Sequence, residues 1–424
     1  MELYIHIPFC VRKCAYCDFL SGPADEQTQN RYMAALLREV ALTGERHRKC
    51  GEPVDTIFIG GGTPSAVDAV WILRLMEQVC TSFAVAEDAE ITMEANPGTL
   101  TKEKLTVYRQ AGINRLSMGL QSTDNGELAR LGRIHTYETF LENYRMARQA
   151  GFTNINIDLM SALPGQTMGS YEKTLRRVIA LEPEHISAYS LIIEEGTPFG
   201  ERYPERVDGT EEESAEFVIS RESQWQLPTE EEDRQMYHLT KFILAEAGYH
   251  RYEISNYARP DYECRHNVGY WTGVPYLGLG LGAASYYGGQ RFSNTRDMKE
   301  YLAYLEENQE INPDSDTTQA DTWMECLHRE VQTLTEQEQM EEFMFLGLRL
   351  TTGVSERIFE QRFARTMKSV YGPVLEKMER QGLLMSTAIE KTVDDVAENA
   401  IDRNWHLTDL GLDVSNYVLA EFLL

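Results

Sequence analysis

The sequence predicts an α/β protein: a partial (β/α)6 barrel of the TIM type followed by a winged-helix-like α+β domain. Three observations carry this expectation. Short β-branched and aromatic runs alternate with amphipathic helical stripes about six times before residue 200, the βαβ rhythm that builds a parallel sheet. A turn recurs at Gln110-Ala-Gly112, Gln149-Ala-Gly151 and Glu246-Ala-Gly248, closing a helical stretch with a left-handed glycine cap and opening a strand. From Glu341 the texture changes to short helical segments and two strand-like ones. A complete barrel takes eight units, so six leave a side open for later residues to close.

Taken in order, Leu3–Phe9 is a strand and Arg31–Leu42 carries a helical stripe at Tyr32, Leu36, Leu37 and Val40. Pro53–Ile59 is a strand that ends in Gly60-Gly-Gly-Thr63, and Val67–Cys80 is helical. Strand Ala89–Glu94, helix Leu100–Gln110, strand Asn114–Met118, strand Thr153–Leu159, helix Ser170–Ala180 and strand His185–Leu191 follow, and His250–Ile254 is a further strand. Residues 201–235 break the rhythm with twelve Asp or Glu against four Arg, an exposed acidic insertion. The expected division is therefore a barrel over 1–235 that includes this insertion, a barrel-closing segment over 236–300, an acidic linker over 301–340, and the winged-helix-like domain over 341–424.

A formal net charge of −27 argues against nucleic acid and against an anionic membrane surface as partners, since both select clustered Lys and Arg. The C-terminal domain lacks a basic face, which makes it a packing or partner module. The cysteines at 10, 14, 17, 50, 80, 264 and 326 are odd in number and mostly scattered, so they form no disulfide framework; a reducing cytoplasm fits. No apolar run reaches membrane-spanning length. Met1-Glu2 leads directly into the first strand, with no signal peptide expected.

Ligands of a parallel barrel sit at the carboxyl ends of its strands, and that rim is where the polar residues collect. Strand one is followed by Cys10-x3-Cys14-x2-Cys17, strand two by Gly60–Thr63; strand three ends at Glu94, strand four runs into Gln121, strand five ends at Asp158, and strand six runs towards Ile192. Three thiols in one compact group, with no second pair downstream, suit a cubane iron–sulfur cluster with one iron left open better than a four-ligand structural zinc site. Gly60–Gly62 is either a tight turn or bare backbone that approaches a ligand and offers it N–H and C=O groups. Glu94 and Asp158 either cap the next helices or accept hydrogen bonds from a ligand, and Arg133 is either a surface charge or a partner for a ligand carboxylate.

The cysteine spacing with Tyr16 before the last thiol, followed by Gly-Gly-Gly-Thr-Pro64, resembles the radical S-adenosylmethionine superfamily. Tyr4-Ile-His-Ile-Pro-Phe-Cys10, Glu94-Ala-Asn-Pro-Gly98, Arg115-Leu-Ser-Met-Gly-Leu-Gln121, Asn156-Ile-Asp-Leu159 and Leu163-Pro-Gly-Gln-Thr167 resemble blocks of its oxygen-independent coproporphyrinogen III oxidase group. The resemblance implies a 4Fe–4S cluster on Cys10, Cys14 and Cys17 whose fourth iron is chelated by S-adenosylmethionine. It implies cofactor contacts at Tyr4, Tyr16, Gly61, Gly62, Thr63, Glu94, Gln121, Arg133, Asp158 and Ile192.

Two branches of the group differ in function. The oxidases decarboxylate coproporphyrinogen and resemble this chain, but carry a further cysteine two residues after the motif and an extension ahead of it. Here position 19 is Phe and the first strand opens the chain. The HemW haem chaperone branch has the Cys-Asp-Phe ending and a His-Asn-x-x-Tyr-Trp block, which is His266–Trp271 here. The residues alone make His266 either a hydrogen-bonded, partly buried side chain or a haem ligand; the resemblance implies the ligand, with Tyr and Trp against the porphyrin. Cys264 is expected to be a buried small side chain. The expected function is thus a cytoplasmic carrier that binds haem as cargo and passes it to apo-haemoproteins such as respiratory enzymes. Coproporphyrinogen dehydrogenase is the alternative, and a zinc-stabilised interaction protein a third.

Overall fold

The computed structural model describes residues 1–48, 51–204, 225–307, 326–388 and 403–424. Its first half is β1 (Glu2–Ile7), α1 (Glu26–Arg48), β2 (Val54–Gly61), α2 (Ala69–Ser82), β3 (Val85–Ala95), α3 (Lys102–Gln110), β4 (Arg115–Gln121), α4 (Asn125–Arg130), α5 (Tyr137–Gln149), β5 (Ile155–Ser161), α6 (Met168–Ile179) and β6 (His185–Ser190). Strands β1 to β6 lie side by side in chain order and are all parallel. The recurring glycine turns do what their sequence predicts: Gly112, Gly151 and Gly248 adopt φ of 88°, 90° and 82° just past their helices. At the other helix ends, Thr101, Thr136 and Thr167 accept N3 backbone N–H groups, which satisfies donors the first turn leaves unpaired.

The second part adds α7 (Pro198–Arg202), α8 (Glu230–Glu246), β7 (His250–Arg251), β8 (Asn256–Ala258), α9 (Arg265–Thr272), β9 (Tyr276–Leu279), β10 (Ala284–Tyr287), β11 (Gln290–Asn294), α10 (Met298–Glu307) and β12 (His328–Thr333). Together the strands form one sheet in the order β12-β11-β10-β9-β1-β2-β3-β4-β5-β6-β8-β7. The sheet is curved but not closed, a partial barrel with β9 parallel to β1 on one flank and β8 antiparallel to β6 on the other. The strand expected over His250–Ile254 is only two residues long, because Ser255 N–H donates to Glu253 Oε1 at 2.9 Å and the chain folds back into β8 as a hairpin. Most of the acidic insertion, 205–224, and the stretch 308–325 lie outside the described residues. Within 301–340, β12 pairs with β11 and extends the main sheet.

Alternation along the parallel strands divides the barrel wall. Leu3, Ile5 and Ile7, Ile57 and Ile59, Leu116 and Met118, and Ile155, Ile157 and Leu159 are buried against the helices. Their neighbours in the chain point the other way, in register layers such as Thr56 with Glu2 and Glu90, and Ser117 with Glu94 and Asn156. The interior is polar rather than filled with aliphatic layers, so it can hold a ligand.

The C-terminal part comprises α11 (Glu336–Gly347), β13 (Val354–Ser355), α12 (Glu356–Phe363), α13 (Met367–Arg380), β14 (Leu384–Ala388), β15 (Arg403–Leu407), α14 (Asp409–Asp413) and α15 (Ser415–Ala420). Its three strands form a separate sheet, β13-β15-β14, the wing. It has its own apolar core around Met344, Phe359, Tyr371, Leu375 and Phe422. It meets the barrel where Thr351 N–H donates to Tyr252 O at 2.9 Å.

Candidate functional site

The loop after β1 is held at both its base and its flank. Cys10 N–H donates to Gly22 O and Gly22 N–H to Pro8 O, each at 3.0 Å, while Ala15 N–H reaches Leu131 O at 3.0 Å. His6 adds a further tie through Nε2 and Leu20 O, 2.9 Å apart. A carbonyl only accepts, so Nε2 carries the proton, and Nδ1 accepts from the Tyr4 hydroxyl at 3.0 Å. The turn after β2 is stitched to the same strand: Gly62 N–H donates to Ile7 O at 2.9 Å and Thr63 N–H to Phe9 O at 2.7 Å. That approach requires glycine. A Cβ on Gly61 would stand 2.5 Å from the His6 ring, and one on Gly62 would stand 2.7 Å from Phe9 O.

These loops roof a cavity of about 560 Å³ at the carboxyl ends of the strands, within the range of about 300–1,000 Å³ usual for small-molecule sites. Cys10, Cys14, Cys17, Tyr16, Gly61, Gly62, Thr63, Glu94, Gln121, Arg133, Asp158 and Ile192 all line it. The structure thus brings these twelve expected residues to one cavity, while Gly60 does not line it. Two other expected site residues lie elsewhere. Tyr4 sits one layer down, stacked on Phe58 with centroids 6.3 Å apart. His266 is at the far end of the barrel: α9 plugs the amino ends of β1, β2 and β3, where the His266 and Arg265 N–H groups donate to Glu90. His266 is 1% exposed, and both ring nitrogens are engaged, Nδ1 with Thr56 Oγ1 at 2.7 Å and Nε2 with Tyr270 OH at 2.9 Å. In this arrangement neither nitrogen is open to a haem iron. Cys264 is buried beside Glu90, its Sγ 3.5 Å from Oε1.

Arg133 spans the roof. Its guanidinium donates to Asn96 Oδ1 at 2.6 Å and Gly119 O at 2.5 Å, and approaches Cys14 Sγ at 3.6 Å. Thr63 Oγ1 lies 3.5 Å from Cys10 Sγ and accepts from Asn96 Nδ2 at 2.7 Å. Two of the three thiols therefore have a donor, one of them cationic, suited to a thiolate. Below them, burial pushes the Glu94 carboxyl up to about 8; nearby Asp158 adds to the rise, and the Gly61 N–H, 3.0 Å from Oε2, opposes it. Burial also raises Asp158, opposed by Asn156 Nδ2 at 2.7 Å, by Ser117 and by the charge of Arg115.

The donor set fits a cluster and its cofactor. Among the described residues no three His, Cys, Asp or Glu side chains gather tightly enough to share one metal ion. Thiols spread around a loop suit a cubane, in which each thiolate takes its own iron. Two buried carboxylates opposite those thiols suit a ligand with cationic or hydroxyl groups.

The sequence reading passed over Asn96 and Arg115, although both lie in motifs it singled out. Arg115 opens β4 on the inward parity, is 2% exposed and lines the cavity; its Nε has no hydrogen-bond partner among the described residues. A charged residue at an inward position of a buried strand is the signal that marks it.

Fold and rim together define a radical S-adenosylmethionine protein. The profile of the Radical SAM superfamily matches residues 4–178, and that of the HemN C-terminal domain matches residues 334–388. The chain belongs to the family of the heme chaperone HemW. It is 34% identical over 422 residues to "Heme chaperone HemW" of Bacillus subtilis, covering 99% of this chain and 98% of that one. Against the Escherichia coli protein of the same name it is 39% identical over 284 residues, 67% of this chain and 69% of that one. Among solved structures, coproporphyrinogen III oxidase (HemN) from Escherichia coli covers 100% of this chain and 89% of its own, with a TM-score of 0.74 and 24% identity, a likeness of fold. No helix of the described residues is long and apolar enough to cross a membrane.

Proposed function

We propose that this chain is a haem carrier of the HemW type, which holds a 4Fe–4S cluster and S-adenosylmethionine and passes haem to apo-haemoproteins, respiratory enzymes among them, in the cytoplasm. The observation that carries this reading is the end-to-end similarity to HemW proteins, 34% identity over 99% of the chain. Phe19 supports it. It stands where the oxidases that the sequence resembles have a further cysteine, and its side chain is 66% exposed at the cavity mouth.

In this reading Cys10, Cys14 and Cys17 are the cluster ligands. When bound, the cluster supplies an iron with an open position and S-adenosylmethionine supplies the amino and carboxylate groups that fill it. The chain's own residues orient the cofactor: Arg133 faces its carboxylate, Glu94 and Asp158 accept from its amino and hydroxyl groups, and the Gly61–Thr63 backbone offers hydrogen bonds without side-chain bulk. Tyr16, Gln121 and Ile192 complete the wall, with Tyr4 supporting it through His6. Ligation of haem by His266 is proposed only for a state in which α9 has left the barrel.

The test is anaerobic cluster reconstitution, followed by a haem titration and a coproporphyrinogen decarboxylation assay. The carrier reading expects stoichiometric haem uptake and no decarboxylation. Turnover to protoporphyrinogen would replace it with the dehydrogenase, and a wild-type chain that takes up no haem would end it.

A further inference from the structure

Behind the cofactor cavity, a line of buried polar side chains runs from Asp158 to the hairpin between β7 and β8. Asp158 lies on β5 and lines the cavity. Its Oδ1 stands 2.7 Å from Asn156 Nδ2. Asn156 Oδ1 stands 2.6 Å from Nδ1 of His185, which opens β6 and is its partner in the β5/β6 register. His185 Nε2 in turn stands 2.9 Å from the Tyr252 hydroxyl. Asn156, His185 and Tyr252 are 3%, 1% and 6% exposed.

The direction of every bond in this line follows from its first member. The Asp158 carboxylate accepts, so Asn156 turns its amide nitrogen towards it and its carbonyl oxygen away. That oxygen only accepts, so His185 Nδ1 carries a proton, and the Ser187 hydroxyl donates to the same oxygen at 3.1 Å. Burial, with the charge of Arg115, holds the imidazole well below its ordinary range. The ring therefore carries one proton, and Nε2 accepts from Tyr252. The Tyr252 hydroxyl keeps a lone pair for the Cys264 N–H just ahead of α9, 3.3 Å away. Its backbone carbonyl accepts Thr351 N–H of the C-terminal domain at 2.9 Å. An amide has two orientations of nearly the same shape, and they present opposite groups to Asp158. Turned over, Asn156 would set its oxygen against a carboxylate oxygen, acceptor against acceptor. The proton on His185 Nδ1 selects the donating orientation, and the Tyr252 hydroxyl selects the tautomer that keeps the proton there.

We propose that His185 and Tyr252 are positioning residues of the cofactor site, which fix through Asn156 the Asp158 carboxylate that receives S-adenosylmethionine. The proposal rests on the reading of Asp158 as a contact of that cofactor. Neither His185 nor Tyr252 lines the cavity, so both act from behind it. Because Tyr252 also bonds to Thr351 and Cys264, the same line ties the acceptor wall of the cavity to the packing of the C-terminal domain and of α9 on the barrel.

The experiment is anaerobic equilibrium dialysis of S-adenosylmethionine against the cluster-reconstituted full chain, with the urea midpoint of each variant measured alongside. Asp158→Asn, which removes the charge, and His185→Leu, which removes the donor to Asn156, should each weaken binding about tenfold. Tyr252→Phe deletes a single oxygen atom, frees the His185 tautomer and should weaken binding about threefold. His185→Asn places an amide N–H one atom beyond Cγ, where Nδ1–H stands. It should bind within about threefold of the wild type, although it is no more stable than His185→Leu. A side chain that only fills the core would give affinities that follow the urea midpoints, with Asn no better than Leu; that result overturns the proposal. Wild-type affinity in His185→Leu or in Tyr252→Phe overturns it too and leaves the cofactor site standing; Tyr252→Phe decides where His185→Leu does not fold. Wild-type affinity in Asp158→Asn removes Asp158 from the contacts, and the proposal with it. A wild type that binds no S-adenosylmethionine overturns the cofactor reading itself.

Discussion

Asn96 Oδ1 accepts the Arg133 guanidinium at 2.6 Å, which joins the loop after β3 to the segment following α4 directly over the cysteine loop. The same Arg133 nitrogen reaches Gly119 O, and the other approaches Cys14 Sγ. Only a planar fork can serve these partners at once; a lysine ammonium is a point charge on a flexible stem.

Arg133→Lys is therefore expected to preserve the fold and loosen the roof. S-adenosylmethionine binding to the reconstituted protein should weaken about tenfold, or about 1.4 kcal/mol. Equilibrium dialysis measures it, and an unchanged urea midpoint separates loss of binding from loss of stability. Equal affinity in the two proteins would remove Arg133 from the site.

Gly62→Ala tests the glycine turn. The added methyl group would meet Phe9 O, Phe9 N and Ile7 O within 3.0 Å, all backbone atoms of the chain that leads into Cys10. Since none can rotate away, the β1 loop must move. The expected cost is about 1–3 kcal/mol, in line with overpacked interiors. Urea unfolding gives that figure, and iron per chain after reconstitution should fall in parallel.

The strand order and the rim were legible because both follow from local signals. Alternation at Leu3, Ile5 and Ile7 marks a strand, and parallel strands gather whatever follows them at one end. The depth of Tyr4 was not legible, because it depends on pairing with Phe58 across the sheet. The burial of His266 was still less so. It arises from contacts with Thr56 and Glu90, which lie 210 and 176 residues away. The hairpin at Glu253 carries no glycine or proline, so the segment from His250 looked like one strand. Residues 308–325, in the middle of the expected linker, lie outside the described residues.

His6 should control how firmly the cluster loop is closed. Its Nε2–H bond to Leu20 O spans the loop, and burial lowers the affinity of the ring for a second proton. His6→Ala leaves that carbonyl and the Tyr4 hydroxyl without their partner. Chelator-driven iron loss is expected to accelerate about tenfold, equivalent to about 1.4 kcal/mol in the barrier. His6→Gln, which can still donate to Leu20 O, should recover part of the difference.

Glu94 sets a pH dependence of the ligand-free protein. Its carboxyl ionises near pH 4.5 in the unfolded chain and at about 8 in the folded one. The unfolded state loses its proton first, so stability falls as pH rises across that window, by up to about 1.4 kcal/mol per unit, and is level beyond it. Asp158, raised in the same direction, adds to the slope at its lower end. Glu94→Gln removes the Glu94 contribution. The variant should match the wild type near pH 4.5 and exceed it by a few kcal/mol at pH 8 in urea unfolding. A difference independent of pH would show that Glu94 is ionised throughout.

His266 gives the opposite sign. Burial holds its imidazole down to about 3, with the charge of Arg115 acting in the same direction, while Glu2, 3.9 Å away, is pushed up to about 8 by burial. At neutral pH the pair is therefore an uncharged imidazole beside an uncharged carboxyl, and no salt bridge forms between these two residues. As pH falls below 6.5 the unfolded chain takes up a proton that the folded site refuses. The stability present above pH 6.5 is lost towards pH 3 at up to about 1.4 kcal/mol per unit. His266→Gln should be less stable than the wild type at pH 7, by about 1–3 kcal/mol, because the Thr56 and Tyr270 hydroxyls lose well-placed partners. The deficit should shrink as pH falls from 6.5 to 5, the range in which the wild type pays for its neutral ring. Urea unfolding at three pH values measures both terms. A deficit that grows on acidification would mean that His266 is protonated in the folded protein, and that Glu2 holds α9 as an ion pair after all.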